Sequence, residues 1–395
     1  MNKLINIKPG PRQKGFKQEN FVSSIDFKTQ SLKILKSLQD ISKEVDKFDL
    51  TKSDIEIYNL IVKSYENLLI RNEQEENDFI LTNHELNEIE KINYKKIIKY
   101  LVYRYKYNVY PKKKIIDGFP PCVQIEPTSI CNFRCIMCYQ ADKSFSSKSN
   151  GFMGHMTLDT FKKIIDQLEG NVEAITLASR GEPTLNPNIE EMINYCSQSN
   201  KFLAFKINTN ASMLNEKLIH TLLASNLQTI VFSIDSKDKE SYEKIRVNGN
   251  FEKTIRNLEL FNNIRNKHYG RSEKIVRISG VKINNEQNID EMKKKWGNIA
   301  DIVAFTNYTP WESSYENNEN NVTEPCHELW TRMFVWWDGK VNPCDYDYKS
   351  VLSKWNVNHK SIKDIWNSEE YNILRKKHLE KKRNTLEPCK RCFNA

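Results

Sequence analysis

The sequence predicts an α/β protein built on a parallel sheet, with a helical region before it and a small cysteine-bearing segment after it. Three observations predict this. Between residues 120 and 310, six short apolar runs alternate with amphipathic stretches of helical period. Before residue 120, apolar residues recur only at helical spacing. The cysteines are grouped: Cys131, Cys135 and Cys138 stand together, and Cys326, Cys344, Cys389 and Cys392 fall near the end.

Residues 1–25 carry Gly, Pro, Lys and Gln with little periodicity and read as a loose arm. From Phe27 to Tyr107 the pattern is helical. It runs through Leu32, Ile34, Leu35 and Leu38, then Ile55, Tyr58, Leu60, Ile61 and Tyr65, then Leu86, Ile89 and Ile92, continued by Ile97, Ile98 and Leu101. Asp49 or Thr51 caps the second helix, and Thr82 or Asn83 the third. Residues 1–110 thus form an N-terminal arm and helical region. A winged helix for peptide recognition needs a strand or two, and no strand signal precedes residue 120.

Residues 111–121, with Pro111, Gly118, Pro120 and Pro121, have the composition of a linker. Strands are then expected at Val123–Glu126, Ala174–Leu177, Leu203–Ile207, Thr229–Ile234, Ile275–Val281 and Ile302–Phe305. Helices are expected between them near Leu158–Leu168, Ile189–Cys196, Glu216–Leu223, over Ser241–Arg265 and at Ile289–Trp296. Such alternation implies parallel strands joined by crossover helices, and six units are fewer than the eight of a closed barrel. The core domain is placed at 118–310 and the C-terminal domain at 322–395.

Charged residues make up 28% and hydrophobic ones 39%, which suits a folded chain and argues against disorder. The net charge of +9 comes from lysines scattered along the chain, a weak general attraction to anions that disfavours nucleic acid as a dedicated substrate. No apolar stretch approaches the roughly 18–20 residues that span a bilayer, and Met1–Gly10 lacks the apolar core of a signal peptide. A cytoplasmic protein without a membrane partner is expected. In that reducing setting the grouped cysteines read as ligands, with Cys122 and Cys196 as thiols packed in the core.

The chemistry centres on Thr128-Ser129-Ile130-Cys131-Asn132-Phe133-Arg134-Cys135-Ile136-Met137-Cys138-Tyr139. Its C-x3-C-x2-C spacing lets three thiolates wrap one metal centre from a single loop. They leave an iron–sulfur cube one ligand short, hence one iron open to a small molecule. Structural zinc is the alternative, but a closed zinc site needs four ligands, and no second Cys/His pair follows for well over a hundred residues.

Preceded by Gln124-Ile125-Glu126-Pro127-Thr128, this stretch resembles the cluster loop of radical S-adenosylmethionine (SAM) enzymes. The resemblance implies a [4Fe–4S] cluster on Cys131, Cys135 and Cys138, with SAM on the open iron and one electron cleaving it to a 5′-deoxyadenosyl radical. It also implies an open six-unit (β/α)6 partial TIM barrel with its chemistry at the C-terminal strand ends. One departure is Met137, where the family often has an aromatic residue.

Three further segments fall at those strand ends. Ser179-Arg180-Gly181-Glu182-Pro183 resembles the family's Gly-Gly-Glu-type segment, with Arg180 replacing the first glycine. The resemblance assigns Gly181 and Glu182 to the amino group of SAM. Gly181 permits close backbone approach, and Glu182 supplies an anion for an ammonium. Asn208 and Asn210 correspond to contacts with the SAM ribose or carboxylate, and Ser233 and Asp235 to another recurrent SAM-site segment. Turn and cap formation is the alternative for each. Arg277, inside the fifth strand, is assigned to the SAM carboxylate or the substrate, unless it faces the surface.

The last residues carry Cys326-x17-Cys344-x44-Cys389-x2-Cys392. Trp336-Trp337-Asp338-Gly339-Lys340-Val341-Asn342-Pro343 reads as a hairpin turning at Asp338-Gly339. This resembles the auxiliary-cluster extension called SPASM, or its shorter twitch form. Four cysteines suffice for one fully ligated [4Fe–4S] cluster, with zinc as the alternative. The layout is similar to that of 2-deoxy-scyllo-inosamine dehydrogenase-type enzymes.

What this resemblance implies is a radical SAM oxidoreductase with two [4Fe–4S] clusters. It oxidises or epimerises a sugar, polyol or aminocyclitol with the auxiliary cluster as electron acceptor, and it draws electrons from a flavodoxin- or ferredoxin-like protein. The alternative is a peptide maturase that crosslinks or epimerises a ribosomal precursor, with the helical region as docking module. A non-catalytic iron–sulfur or zinc protein is a third reading, opposed by the order of the SAM-site segments. Tyr308, Trp311, Asp345 and Asp347 are candidates for the substrate side.

Overall fold

The computed structural model describes residues 27–71, 75, 78–199, 202–270, 274–284 and 287–393. The loose arm expected at 1–25 lies outside them. The chain divides into two compact units at the Asp117–Gly118 junction.

The N-terminal unit contains α1 (Phe27–Ser42), α2 (Lys52–Arg71), α3 (Asn83–Ile89) and α4 (Ile97–Lys113), and no strand among its described residues. Thr51 opens α2: its hydroxyl accepts from Asp54 N at 3.1 Å, while its own N–H donates to Asp54 Oδ2 at 2.9 Å. Thr82 and Glu85 make the same reciprocal box at α3. Leu38, Tyr58, Ile61, Tyr65, Leu68, Ile98, Leu101 and Tyr105 form the unit's core. The Tyr58 hydroxyl donates to Leu38 O at 2.7 Å, so the buried phenol keeps a partner. Leu32 and Leu60, counted in the apolar pattern, turn outward. The linker begins later than Pro111 suggests, because a proline in the last turn removes only one helical donor. The helix runs on to Lys113, and Lys114 ends it in a left-handed conformation.

The second unit carries β1 (Cys122–Ile125), α5 (Lys143–Ser146), α6 (Leu158–Leu168), β2 (Ala174–Leu177), α7 (Ile189–Ser199), β3 (Ala204–Thr209), α8 (Glu216–Ala224) and β4 (Thr229–Ser233). It continues with α9 (Lys239–Ile245), α10 (Phe251–Ile264), β5 (Ile275–Lys282), α11 (Ile289–Trp296) and β6 (Ile302–Asn307). The C-terminal segment supplies α12 (Glu328–Thr331), β7 (Arg332–Val335), β8 (Lys340–Asn342), β9 (Trp355–Asn356), α13 (Ile362–Trp366) and α14 (Glu369–Leu379). The six strands and the helices between them are those the sequence predicts. The stretch over 241–265 breaks at Arg246–Asn250, where Asn248 is left-handed at φ 69° and Asn250 caps α10 through Lys253 N.

The sheet order is β6-β5-β4-β3-β2-β1-β7-β8-β9, parallel from β6 through to β7. It is an open sheet, with β6 at one edge. The C-terminal segment continues it: β7 pairs parallel with β1, and β8 and β9 add antiparallel strands. The β7–β8 turn falls at Asp338-Gly339 as predicted, with Gly339 at φ 79° and Trp336 N donating to Lys340 O at 2.8 Å.

Side chains alternate across a strand. Val123, Ile125, Ile175, Leu177, Phe205, Ile207, Ile230, Phe232, Val276 and Ile278 pack into the core with Phe161, Met192, Leu222, Phe261 and Trp296 of the helices. Their neighbours Gln124, Thr176, Lys206, Asn208, Ser233, Arg277 and Ser279 therefore line the opposite face of the sheet. Val231 and Ile275 share that face, so its polar side chains stand among apolar ones. Cys122 and Cys196 are buried, Cys196 among the core apolars. Among the described residues, no helix is long and apolar enough to cross a membrane.

Candidate active site

The three-cysteine loop leaves the C-terminal end of β1 and is held from several sides. Thr128 Oγ1 donates to Gly154 O at 2.7 Å and accepts from Ile130 N at 3.0 Å. Phe133 N donates to Cys131 Sγ at 3.4 Å. Arg134 N and Ile136 N donate to Val247 O and Ile245 O at 2.8 and 3.0 Å, which ties the loop to the segment after α9. Met137 packs against the buried Ile136, Ile245 and Ile283, so an apolar side chain suffices where the family often has an aromatic one.

After the last cysteine, the Tyr139 hydroxyl donates to Ser179 O at 2.8 Å. The Gln140 amide donates to Ser129 O at 2.8 Å and Arg180 O at 2.5 Å. One buried glutamine thus joins the cysteine loop to the loop after β2.

Burial, then Cys135, pushes the Cys131 thiol up to about 12. Burial also raises Cys135, against the neighbouring Arg246 guanidinium, and it raises Cys138, helped by the other two thiols. Three crowded thiols with high pKa ionise only when a cation is among them, and a bound metal supplies that charge. An all-sulfur donor set suits iron–sulfur chemistry. Among the described residues, no three His, Cys, Asp or Glu converge as they would on a single metal ion. A cube spreads its ligands over separate irons and does not require that convergence.

The loop after β2 lies directly against this one. A Cβ on Gly181 would stand 2.2 Å from Thr128 O and 2.6 Å from Ile130 O, so only glycine fits there. Glu182 N donates to Ile130 O at 2.9 Å. The Glu182 carboxylate is buried. Its Oε1 accepts from Thr184 N, Thr184 Oγ1 and Thr209 Oγ1 at 3.1, 2.6 and 2.6 Å, and its Oε2 from Asn210 N at 2.7 Å. Burial raises its pKa and these bonds oppose the rise. Oε2 keeps an acceptor position beyond the bond from Asn210.

Asn210 Nδ2 donates to Asn132 Oδ1 at 3.0 Å, and Asn132 Nδ2 to Ser212 Oγ at 2.9 Å, so the loop after β3 grips the cysteine loop as well. Ala211 between them is left-handed at φ 64°, an unfavourable conformation for an L-residue that this bonding holds in place. Asn208 Oδ1, Ser179 Oγ and Ser236 Oγ are buried without a hydrogen-bond partner among the described residues. Such polar atoms around a strand-end site suit a polar ligand.

Ser233 ends β4 opposite Ser279 of β5. Asp235, fully buried, accepts from Val281 N at 2.8 Å and pairs with Arg246 at 2.7 Å. Arg277 sits two residues earlier on β5, opposite Val231, on the face away from the core but deeper than the strand ends.

Arg180 occupies the position of the family's first glycine and is buried against Glu126. Its Nε and Nη2 reach the two carboxylate oxygens at 2.7 and 2.6 Å, and its backbone N–H adds a third bond at 3.1 Å. Its Nη1 donates to Tyr348 O at 2.8 Å, and the guanidinium lies 4.2 Å from the Trp336 ring centroid. Trp337 N completes Glu126 at 3.3 Å. This pair bolts the β1 and β2 ends to the C-terminal hairpin, and its buried charges keep their partners.

In the C-terminal segment Cys326, Cys344 and Cys389 have raised pKa as well. Burial first, and then Cys392, pushes Cys326 up to about 12, while Arg383 opposes the rise. Burial and the same kind of thiol neighbours raise Cys344 and Cys389. The Arg383 guanidinium donates to Cys389 O and Cys392 O at 3.3 and 3.1 Å. His378 Nδ1 accepts from Cys326 N at 3.2 Å. Cys389 and Cys392 are buried and Cys326 and Cys344 partly so.

Of the substrate-side candidates, Asp347 is buried and accepts from Tyr315, Val351 N and Leu352 N, so it shapes its loop. The Tyr308 hydroxyl donates to Glu312. Trp311 stacks on Tyr139 at 6.3 Å with an 8° interplanar angle.

Sequence reasoning missed Glu126, Gln140 and Arg246 as site residues, and saw Arg180 only as a departure. For Glu126 and Arg180 the available signal was a charge just past a strand end in an apolar context, which requires a partner.

The sheet thus presents a three-cysteine loop at its strand ends, and the segment that extends it carries four more cysteines. Residues 125–295 match the model of the radical SAM superfamily, and residues 326–393 that of the SPASM iron–sulfur cluster-binding domain. The chain thus carries a radical SAM domain and a SPASM domain, and those domains imply SAM, a [4Fe–4S] cluster and an auxiliary cluster as cofactors.

The chain is 29% identical over 142 residues to the AdoMet-dependent heme synthase of Methanosarcina barkeri, covering 36% of this chain and 39% of that protein. It spans less than two thirds of the length of the curated relatives it first matches. BtrN in complex with AdoMet and 2-DOIA has a similar fold, with TM-score 0.50 at 18% identity over 71% of this chain and 95% of that one. Streptococcus suis SuiB bound to precursor peptide SuiA gives TM-score 0.52 at 19% identity over 81% and 80%.

Proposed function

We propose that the protein abstracts a hydrogen atom from a small polyol, sugar or aminocyclitol and completes its oxidation by passing an electron to the auxiliary cluster. Cys131, Cys135 and Cys138 would hold the first [4Fe–4S] cluster, and Cys326, Cys344, Cys389 and Cys392 the second. When bound, the first cluster and SAM supply a 5′-deoxyadenosyl radical by one-electron reduction. The substrate carbon gives up a hydrogen atom to that radical. Loss of a proton from the adjoining hydroxyl or amine and of one further electron leaves a carbon–oxygen or carbon–nitrogen double bond.

The observation that supports this reading is the grouping of Cys326, Cys344, Cys389 and Cys392, coupled to one another in the folded chain, which would close the ligand set of a second cluster. Four thiols satisfy all four irons of a cube. A cluster so ligated leaves no iron for the substrate and is suited to accept an electron. The chain's residues position and enclose. Gly181 lets the β2 loop approach the cysteine loop, and Glu182 Oε2 would accept from the amino group of SAM. Asn208, Asn210 and Ser233 would meet its polar remainder from the strand ends, and Arg277 would offer a cation on the same face for a carboxylate or the substrate. Support for the small-molecule class comes from the polar side chains on that sheet face and from BtrN, whose structure holds 2-DOIA. A flavodoxin- or ferredoxin-like protein would deliver the first electron.

A second reading is favoured by one observation. The separate helical unit is not needed to build the sheet, and the SuiB structure, which holds a precursor peptide, matches a larger share of this chain than BtrN does. On that reading the protein matures a peptide.

The test is iron, sulfide and zinc content with EPR or Mössbauer spectra, comparing wild type with Cys131→Ala/Cys135→Ala/Cys138→Ala after anaerobic reconstitution. Expected are about eight irons in wild type and about four in the variant, with SAM cleavage lost. About four irons and one zinc in wild type would make the second site structural and overturn the oxidation. Uncoupling of 5′-deoxyadenosine formation by candidate polyols against candidate peptides separates the two substrate classes.

A further inference from the structure

We infer that Arg246, held by Asp235, sets the reduction potential of the cluster on the three-cysteine loop. The inference rests on the proposed ligand role of Cys131, Cys135 and Cys138.

Arg246 follows α9, in the break before α10. Its two chain neighbours are the residues that pin the cysteine loop, because Ile245 O and Val247 O accept from Ile136 N and Arg134 N. The register leaves no freedom along the chain, and Arg246 stands opposite Cys135. Its Nη1 lies 3.9 Å from Cys135 Sγ, within reach of a charge-assisted N–H···S contact. Its Nε pairs with Asp235 Oδ2 at 2.7 Å.

Both side chains are buried, Arg246 at 6% exposure and Asp235 at 0%, so water does little to screen them. Asp235 is itself fixed by Val281 N at the end of β5. Tyr242, buried one turn before Arg246, directs its hydroxyl to Thr254 and adds no charge. The guanidinium is thus a fixed cation with one edge on its counter-ion and another on a cluster sulfur.

Reduction adds one negative charge to the cluster. A fixed cation and an N–H bond to sulfur stabilise that added charge and raise the potential. The carboxylate behind the guanidinium acts oppositely, at greater distance from the sulfur. Asp235 and Arg246 are therefore positioning residues with effects of opposite sign on one measurable quantity.

The experiment is an EPR-monitored redox titration of reconstituted full-length protein, following the signal that SAM perturbs and so separating the first cluster from the auxiliary one. Arg246→Gln is expected to shift the potential negative by at least the equivalent of a tenfold change in the reduced-to-oxidised ratio, about 59 mV for one electron. Arg246→Lys keeps the charge without the fork and is expected to shift it by less. Asp235→Asn is expected to shift it positive.

Unchanged potentials, or shifts of one sign in all variants, overturn the inference. If one Arg246 variant assembles no SAM-sensitive cluster, the other and Asp235→Asn still decide by their opposite signs; if Asp235→Asn assembles none, a negative shift in Arg246→Gln that is no larger than in Arg246→Lys overturns the inference. Retention of the SAM-sensitive signal by Cys135→Ala would mean that the ligand assignment has failed, an outcome distinct from failure of the electrostatic role.

Discussion

Replacing Arg180 with alanine removes the cation from a carboxylate that water cannot reach. Glu126 is 0% exposed and would keep only the N–H groups of residue 180 and Trp337, the second at 3.3 Å. Two charge-assisted bonds of 2.6 and 2.7 Å disappear, together with the bond to Tyr348 O and the stacking on Trp336. Breaking a buried pair from one side costs about 3–5 kcal/mol. At about 2–4 °C per kcal/mol for a unit of this size, the melting temperature should fall by roughly 6–20 °C.

The double variant Glu126→Gln/Arg180→Met removes both charges while keeping much of the volume, and it should recover at least half of that loss. Anaerobic thermal unfolding of protein matched for iron content measures both. A loss below about 1 kcal/mol in Arg180→Ala, or a double variant worse than the single, would refute the assignment of the pair as the joint between the strand ends and the hairpin.

Gly181→Ala should displace the cysteine loop, because its Cβ would meet Thr128 O at 2.2 Å; calorimetry should show SAM affinity reduced about tenfold or more, roughly 1.4 kcal/mol. Glu182→Gln turns an amide N–H2 towards donors that need an acceptor, and should cost about 1–3 kcal/mol of stability in denaturant titration. His378→Ala removes the acceptor of Cys326 N–H, and should speed loss of auxiliary-cluster iron to chelator while sparing the SAM-sensitive EPR signal. Asp347 gives a pH signature. Burial pushes it up to about 6, against the bonds from Tyr315 and the following backbone. Its unfolded value is about 4, so the folded state holds the extra proton between those values. Stability should therefore decline as pH rises from about 4 through about 6, by about 1–3 kcal/mol, and Asp347→Asn should flatten that slope.

Periodicity and spacing determined much of this protein. The alternation of apolar runs and helical stretches was enough for six parallel strands and their crossovers, because strand and helix periods are written locally in the order of side chains. The three-cysteine loop, the four later cysteines and the Asp338-Gly339 turn were legible for the same reason, since each depends on residues close in the chain. Helices over 241–265 were expected on the same ground, and the Asn248-Gly249-Asn250 turn lies where the chain breaks between α9 and α10.

Only the tertiary structure decided what the charges do. Arg180 and Glu126 are 54 residues apart and meet because β1 and β2 are in register. Cys135 and Arg246 are 111 apart and meet because two backbone bonds bring their loops together. The C-terminal segment joins the sheet through β7 beside β1, a pairing no local pattern encodes. A sequence states which side chains need partners. Which partner each obtains depends on strand register and loop closure, which arise only when the whole unit has folded.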